Sequence, residues 1–255
     1  MRATTTFATP DPKHAADALR GLSIVLPCFN EAENLPEVLR SATDAAERCA
    51  VAHEIVVVDD GSTDETVAVA GAAIACDARI RLIVHSENRG YGVALRSGMG
   101  VARQPWVLLI DADQQFDVGE LERFLPVAPS ADVVVGWRIL PQGPVTRRAA
   151  TALWNRFVRT AFDVPARDAE CGFRLARREL LESVDLRTSG GLFGAELLVK
   201  SRTAGARIAE VPVHHRPRVA GRQTGPRRRL GTRTVRELAD LRRPHGDGPA
   251  RPLGI

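Results

Sequence analysis

The chain of 255 residues is 44% hydrophobic and 26% charged, which is ordinary for a folded protein with one large α/β domain or two small ones. No apolar run approaches the ~18 residues of a membrane span, and the N-terminus lacks the continuous apolar core of a signal peptide. The four cysteines show no CxxC spacing, so neither a zinc site nor a disulfide framework is predicted. We therefore expect a cytoplasmic protein.

Charge is distributed unevenly along the chain. The net charge is +4 overall, but residues 216–255 contain 11 arginines against three acids and carry +8, which leaves −4 for residues 1–215. A basic C-terminal arm on an acidic body predicts an anionic partner: a membrane surface, nucleic acid or a phosphorylated substrate. Nucleic acid is not expected, because no aromatic residues alternate with the arginines.

Short apolar runs predict five buried strands, at residues 22–26, 54–58, 80–84, 106–110 and 132–135. Helical patterns separate the first strands; Asn30 is expected to cap the first helix, and residues 63–75 are expected to form the second. Residues 1–20 have no periodicity and predict a flexible segment. Strands that alternate with helices predict an α/β fold with a mostly parallel central sheet flanked by helices.

Polar side chains follow three of the predicted strands. Glu31 comes after the first strand, Asp60 after the second, and Asp111 and Asp113 after the fourth. Because parallel strands end at the same edge of a sheet, we expect these carboxylates to converge where ligands bind. Such carboxylates suit a nucleotide, since they accept hydrogen bonds from base and ribose and bind a metal on the diphosphate. The sequence Pro-Cys-Phe-Asn-Glu after the first strand is not GxGxxG, which argues against a dinucleotide-binding dehydrogenase.

The fourth strand ends in an Asp-x-Asp pattern, Asp111 and Asp113, with Gln115 two residues later. Two carboxylates one residue apart can share a hard divalent cation through oxygen ligands. In the alternative reading the aspartates only cap the next helix, because Asp is common at helix N-termini. The spacing alone leaves both readings open.

Seven segments occur in a fixed order and spacing: SIVLPCFNEAENLPEVL, EIVVVDDGSTDET, NRGYGVALRSGM, WVLLIDADQQF, DVVVGWR, RDAECGFRLARREL and FGAELLVKSRTAGARIAEVPVHHRPRVAG. Together they resemble the family 2 glycosyltransferases of the GT-A fold, and most closely the polyprenyl (dolichyl) phosphate mannosyl- and glucosyltransferases. The resemblance implies a GT-A glycosyltransferase domain over residues 21–224. Residues 225–255 would then form a basic tail that is flexible or lies on a membrane surface.

The resemblance implies a site for the nucleotide of a sugar donor. Its predicted cofactor-binding residues are Pro27, Phe29, Glu31, Val58, Asp60, Asp111, Ala112, Asp113, Arg138 and Arg218. Within this set Asp111, Ala112 and Asp113 match the Asp-x-Asp signature. Asp113 and Gln115, together with Asp111, resemble the ligands of Mg²⁺ or Mn²⁺ bound to the donor diphosphate.

Three arginines match positions that contact phosphate groups in the family. Arg138 resembles the arginine near the reacting centre, and Arg148 is expected to assist with the acceptor phosphate; with Asp113 they are the predicted catalytic residues. Arg218 matches the arginine of an RxxG motif that closes over the diphosphate. Asp168 is expected to orient the neighbouring arginines. Arginine suits these roles because its planar fork binds phosphate oxygens in pairs.

The resemblance implies an inverting hexosyltransferase whose acceptor is polyprenyl phosphate at the inner face of the membrane. GDP-mannose is the favoured donor and a UDP-sugar the second. The Arg-rich tail would bind an anionic membrane surface, with or without a separate membrane anchor protein. Two alternatives remain: the same fold using a UDP-sugar and a glycan or small-molecule acceptor, or a non-catalytic scaffold that binds nucleotide sugars.

The chain departs from the family pattern in two places. A lysine usually follows the RxxG motif where this chain has Thr224, and Arg222 is the candidate replacement. Cys171 stands where the family tends to carry serine, and it is expected to be a small buried thiol. Two further features are left open by the residues: Glu196 is either functional or a helix-surface carboxylate, and Gly90 with its neighbouring glycines serves either the donor loop or tight packing.

Adjacent histidines at positions 214 and 215 are expected to lie on a strand. Their side chains would then point to opposite faces, which rules out an ordinary two-histidine metal clamp. His215 is the better candidate for lining the cleft, and His214 is expected to be structural or solvated.

Overall fold

A computed structural model describes residues 19–139 and 145–218 of the chain. Nearly all of the flexible segment predicted over 1–20 and the whole basic tail predicted over 225–255 lie outside the described residues. Arg222 and Thr224 also lie outside them, so the proposed replacement of the missing lysine stays a prediction.

Seven strands and six α-helices alternate through the described part. The strands are β1 (Gly21–Cys28), β2 (Ala52–Asp59), β3 (Ile80–Val84), β4 (Trp106–Leu109), β5 (Val133–Arg138), β6 (Arg174–Arg177) and β7 (Ile208–Val213). The helices are α1 (Leu35–Cys49), α2 (Thr66–Cys76), α3 (Tyr91–Val101), α4 (Val145–Phe162), α5 (Arg178–Ser183) and α6 (Phe193–Thr203). Short 3₁₀ turns at Val118–Arg123 and Ala128–Ser130 lie between β4 and β5.

The strands form a single sheet in the order β3-β2-β1-β4-β6-β5-β7. All pairs are parallel except those of β6, which runs antiparallel to both β4 and β5. The predicted mostly parallel α/β sheet is therefore confirmed. Chain order reverses between β1 and β4, and in open α/β sheets the crevice beyond such a reversal is where ligands bind.

The apolar runs of the sequence form the buried centre of the sheet. Every residue of β4 is buried, as are the last six residues of β2 and all of β1 except Pro27. Helices on the sheet explain why these strands are continuous apolar runs and do not alternate. Helix α3 packs closely on β1, since a Cβ at Gly98 would lie 2.3 Å from Cγ1 of Val25.

Two local predictions were wrong. Asn30 does not cap α1, which begins at Leu35; it adopts a left-handed conformation with φ of 56°, and its side-chain oxygen accepts a hydrogen bond from the Thr63 N–H at 2.8 Å. That contact holds the loop after β1 against the loop after β2, which explains why the residue is not free to cap a helix. The two histidines do not lie on a strand, because β7 ends at Val213.

Candidate functional site

The loops that follow β1, β2 and β4 meet at the reversal point, as the sequence predicted. The Asn30 N–H donates to Oγ of Ser62 at 2.8 Å, which joins the first two loops. The guanidinium of Arg218 donates to both Glu31 and Asp113, which joins the first loop to the third; the second of these contacts is 3.2 Å. One arginine from the C-terminal end of the described chain therefore lies between two of the predicted donor-site carboxylates.

Asp113 lies in a tight turn at the end of β4. The next residue, Gln114, has a left-handed φ of 60°, and Oδ1 of Asp113 accepts the N–H of Gln115 at 3.1 Å. Burial and the neighbouring charge of Asp111 raise the pKa of Asp113 to about 7. A cation close to Asp113 would favour the ionised form of its carboxylate.

Asp111 has a different environment from Asp113. Its Oδ1 accepts a hydrogen bond from the Tyr91 hydroxyl at 2.7 Å. Burial raises the pKa of Asp111, and the charges of three arginines partly offset that rise: Arg174, Arg138 and Arg218. The carboxylate is therefore held by the protein and surrounded by positive charge.

Glu31 is 7% exposed and lies in the loop after β1, which ends at Cys28. Its Oε2 accepts a hydrogen bond from the side-chain nitrogen of Asn34 at 2.6 Å, and its Oε1 accepts from Arg218. Burial raises the pKa of Glu31, and the contacts to Asn34 and Arg218 act against that rise. The arginine here neutralises part of the charge of an acidic cluster.

The predicted metal ligands have the chemistry of a site for Mg²⁺ or Mn²⁺. Carboxylate oxygens of Asp111 and Asp113 and the amide oxygen of Gln115 are hard ligands, and the guanidinium of Arg218 contacts Asp113 as a cation would. Within the described residues no group of three or more His, Cys, Asp or Glu side chains is arranged to hold a metal. Asp111, Asp113 and Gln115 alone offer fewer oxygens than such a cation takes, so the residues fit a cation whose other ligands come from a substrate diphosphate and water.

Asp60 is 3% exposed and accepts hydrogen bonds from three groups of the protein. Oδ1 accepts hydrogen bonds from Nδ1 of His85 at 2.7 Å and from the Arg89 N–H at 3.0 Å, and Oδ2 accepts the Gly90 N–H at 2.8 Å. The carboxylate stabilises a loop in which Gly90 has a φ of 102°, a conformation that favours glycine. Its assignment to the base and ribose stays a prediction.

The other predicted nucleotide-site residues lie at the same sheet edge. Pro27 of β1 is paired in register with Val58 of β2, and Phe29 follows in the half-buried loop. Val58 and Ala112 are 0% and 2% exposed, so only small parts of them are open to a ligand. Their part in binding stays a prediction.

Arg138 and Arg148 line a common cavity of about 280 Å³ between the end of β5 and helix α4. Asp168 binds Arg138 through both oxygens, at 2.6 Å to Nε and 2.7 Å to Nη2, which confirms that this aspartate orients an arginine. Five arginines and one aspartate line the cavity: Arg138, Arg148, Arg156, Arg159, Arg167 and Asp168. A cavity with this charge attracts an anion.

Two residues outside the sites just described were also singled out by the sequence. Glu196 is fully buried, not on the helix surface, and accepts hydrogen bonds from the N–H groups of Arg187 and Thr188 and from Nζ of Lys200. Cys171 is a buried thiol whose pKa burial raises to about 12, as expected for a structural cysteine.

The histidines differ in their surroundings. His214 is bound by Glu120, which accepts its backbone N–H at 2.8 Å and contacts its ring. The ring of His215 lies 5.3 Å from that of Phe116, beside the turn after β4. His214 is half-exposed and bound by Glu120, which agrees with the structural or solvated role expected for it.

Tyr91 and Arg174 are the residues of this region that the sequence reasoning missed. Tyr91 contacts Asp111, and Arg174 is 1% exposed and lies on the strand beside β4. Both residues belong to segments that carry the family resemblance, NRGYG and CGFRL. Nothing in those segments shows that the two side chains face the Asp-x-Asp turn. Arg174 stands in RLAR, where no apolar pattern marks a strand, so the sequence carries no signal of its burial.

Residues 23–185 match the protein family described as Glycosyl transferase family 2. The chain belongs to this family. The match extends over β1 to α5 and includes Glu31, Asp111, Asp113 and Arg138, whereas Arg218 lies beyond it.

Relatives in this family cover most of the chain. An uncharacterized glycosyltransferase of Mycobacterium tuberculosis (strain H37Rv) is 35% identical over 215 residues, which are 82% of this chain and 89% of that protein. Undecaprenyl-phosphate 4-deoxy-4-formamido-L-arabinose transferase of Enterobacter sp. (strain 638) is 30% identical over 207 residues, which are 80% of this chain and 62% of that protein.

A solved structure has the same fold. Glucosyl-3-phosphoglycerate synthase from Mycobacterium tuberculosis, crystallised in complex with uridine diphosphate, matches with a TM-score of 0.65 at 25% identity, over 92% of this chain and 85% of that chain. Family, relatives and fold agree that the protein is a glycosyltransferase with the GT-A fold.

Proposed function

We propose that this glycosyltransferase moves a hexose from a nucleoside diphosphate sugar to an acceptor phosphate, with polyprenyl phosphate as the first candidate. The observation that carries the proposal is the cavity of five arginines beside the acidic turn at the end of β4. Arg138 connects the two, since it lines the cavity and its charge acts on Asp111. An anion in the cavity would therefore lie near the donor site.

On the donor side, Asp113 and Gln115, with Asp111, would hold a divalent cation, which neutralises charge on the diphosphate when bound. Arg218 now contacts Glu31 and Asp113 and would exchange these carboxylates for diphosphate oxygens when the donor enters. Such an exchange lets the arginine stabilise the charge that develops on the leaving group. The proposed Mg²⁺ or Mn²⁺ is supported by this donor set.

On the acceptor side, Arg138 and Arg148 would bind the phosphate and hold it in line with the anomeric carbon. Arg138 is itself fixed by Asp168, so its guanidinium is preorganised for this role. A phosphate acceptor is already an anionic nucleophile, and we therefore assign no general base. A single displacement of the diphosphate would invert the anomeric configuration.

GDP-mannose is the first proposed donor, on the resemblance to polyprenyl phosphate mannosyltransferases, and a UDP-sugar is the second. One relative is named undecaprenyl-phosphate 4-deoxy-4-formamido-L-arabinose transferase, and one structural neighbour was crystallised with uridine diphosphate. The first supports a polyprenyl phosphate acceptor, and the second supports a UDP-sugar donor.

A polyprenyl phosphate acceptor would bring the protein to the inner face of a membrane. No helix in the described part of the chain is long and apolar enough to cross a bilayer. Attachment would then depend on the basic residues 225–255 at an anionic surface, on a separate anchor protein, or on both.

Transfer from radiolabelled GDP-mannose, UDP-glucose and UDP-N-acetylglucosamine to a short polyprenyl phosphate in detergent, with Mn²⁺, tests the proposal. We expect product from one donor, and a loss of at least a hundredfold in the Asp113→Ala and Arg148→Gln variants. Product with a soluble phosphorylated or glycan acceptor and none with the lipid would favour the second enzymatic reading. Nucleotide binding without transfer to any acceptor would favour the scaffold.

A further inference from the structure

The hydroxyl of Tyr91 is placed to hold one carboxylate of the Asp-x-Asp turn. It donates to Oδ1 of Asp111 at 2.7 Å. Tyr91 is the first residue of α3, and its ring packs edge-on against Phe193 with centroids 6.3 Å apart. Packing of the ring restricts its rotation, so the hydroxyl has a defined position relative to the carboxylate.

The other oxygen of Asp111 lies against the backbone of Gly172. A Cβ at this glycine would be 2.1 Å from Oδ2 of Asp111, so only glycine leaves room for the carboxylate there. The two oxygens are thus confined on opposite sides, by a hydroxyl and by a backbone segment. Asp111 is held in one orientation before any ligand binds.

Arg174 supplies buried positive charge behind the same carboxylate. It lies on β6 opposite Leu109 of β4 and is 1% exposed. Arg174 is close enough to Asp111 and Tyr91 for its charge to act on both. Nε and Nη1 of Arg174 have no hydrogen-bond partner within the described residues, although a buried guanidinium is costly to leave unpaired. A residue needed only for packing would not require that charge.

Tyr91 also connects the two acidic loops of the site. The residue before it, Gly90, donates its N–H to Asp60 at the end of β2, while Tyr91 itself donates to Asp111 after β4. Two consecutive residues therefore fix carboxylates on two loops of the site, those after β2 and β4. Removal of the hydroxyl would break this connection on one side only and leave the ring in place.

We infer that Tyr91 and Arg174 are positioning residues of the cation site. Tyr91 fixes the orientation of Asp111 and Arg174 balances its charge, so that Asp111 can share with Asp113 a cation on the donor diphosphate. The inference rests on the proposed function for the presence of those two ligands. Groups that hydrogen-bond to metal-site side chains typically change metal affinity by 10- to 100-fold when removed.

The test is the full-length Tyr91→Phe variant, with Ser201→Ala as the matched control. Ser201 has a fully buried hydroxyl with no hydrogen-bond partner in the part of the chain that the structure describes, so its removal takes away a hydroxyl without touching Asp111. Mn²⁺ binding is titrated by electron paramagnetic resonance, and UDP and GDP binding by calorimetry with Mn²⁺ and with EDTA. We expect Tyr91→Phe to weaken Mn²⁺-dependent binding by 10- to 100-fold and to leave binding in EDTA unchanged, whereas Ser201→Ala changes neither.

Equal Mn²⁺ affinities for Tyr91→Phe and the wild-type protein would overturn the inference. Equal binding of a nucleoside diphosphate to the wild-type protein with and without Mn²⁺ would also overturn the inference. That result would not contradict the proposed transfer from a nucleotide sugar. If Tyr91→Phe weakens Mn²⁺ binding but no variant binds a nucleotide, the result would support the positioning role and count against the proposed donor. Arg174→Met is expected to weaken Mn²⁺ binding more than Arg174→Lys; if both fail to fold, Tyr91→Phe decides.

Discussion

Replacing Asp168 with asparagine tests whether a buried ion pair holds Arg138 at the arginine-lined cavity. Asp168 and Arg138 have side chains that are 9% and 16% exposed, and two hydrogen bonds of 2.6 and 2.7 Å join them. Removal of one partner from a buried pair leaves the other charge uncompensated, which usually destabilises a protein by 3–5 kcal/mol. Asparagine keeps one acceptor, so we expect Asp168→Asn to reduce the free energy of unfolding by about 3 kcal/mol.

The measurement is urea denaturation followed by tryptophan fluorescence, with Asp163→Asn as the control. Asp163 makes an ion pair of 2.7 Å with Arg202, but its side chain is 88% exposed, and exposed pairs typically contribute no more than ~1 kcal/mol. A loss in Asp168→Asn no larger than the loss in Asp163→Asn would refute the reasoning. The variant should also transfer less sugar, because Arg138 is then free to leave the cavity.

The same pair predicts a dependence of stability on pH. Burial opposes ionisation of Asp168, but the hydrogen bonds and charge of Arg138 more than offset this and hold its pKa below the ordinary value. A carboxylate with a lowered pKa contributes stability above its unfolded pKa, about 3.9, and loses that contribution as the pH falls through its folded pKa. The difference in unfolding free energy between wild type and Asp168→Asn should therefore be full at pH 6 and shrink below about pH 4.

Three further predictions follow from buried contacts. Gly172→Ala should fold but lose at least tenfold in Mn²⁺-dependent nucleotide affinity by calorimetry, because the new Cβ displaces Asp111; unchanged affinity would show that this carboxylate can move freely. Of the four cysteines only Cys76 is exposed, so a thiol reagent should label one cysteine of the native protein rapidly and all four after unfolding. Glu196→Gln should lower the unfolding free energy by about 3 kcal/mol, since it leaves the buried ammonium of Lys200 without a carboxylate; a loss below 1 kcal/mol would contradict that reading.

The sequence predicted the part of the fold that apolar patterns encode. The runs around β1 to β5 are long, apolar and separated by helical patterns, so their existence and parallel arrangement follow from burial on both faces. Strand β6 has the sequence RLAR, in which two of four residues are arginines, and no pattern of apolar residues distinguishes it. Its antiparallel place between β4 and β5 depends on tertiary contacts that short-range pattern does not contain.

The candidate site was predictable where a residue closely follows a parallel strand, because such residues lie at one edge of the sheet. Glu31 and Asp113 follow neighbouring parallel strands, and their common contact with Arg218 agrees with the predicted convergence. The hydrogen bonds that occupy Asp60 were not predictable, because they come from a loop 25 to 30 residues further along the chain. Asn30 looked like a helix cap for a similar reason, since its true partner at Thr63 is 33 residues away.

The candidate site extends further along the chain than the sheet does, because Arg218 contacts Glu31 and Asp113 from beyond the last strand. The last strand, β7, ends at Val213, so a chain shortened to that point retains every strand of the described sheet. It would nevertheless lose the guanidinium that lies between the two carboxylates. A chain shortened there can therefore keep every strand of the described sheet while its acidic cluster has lost a counter-charge, so a boundary chosen from secondary structure alone would cut through the candidate site.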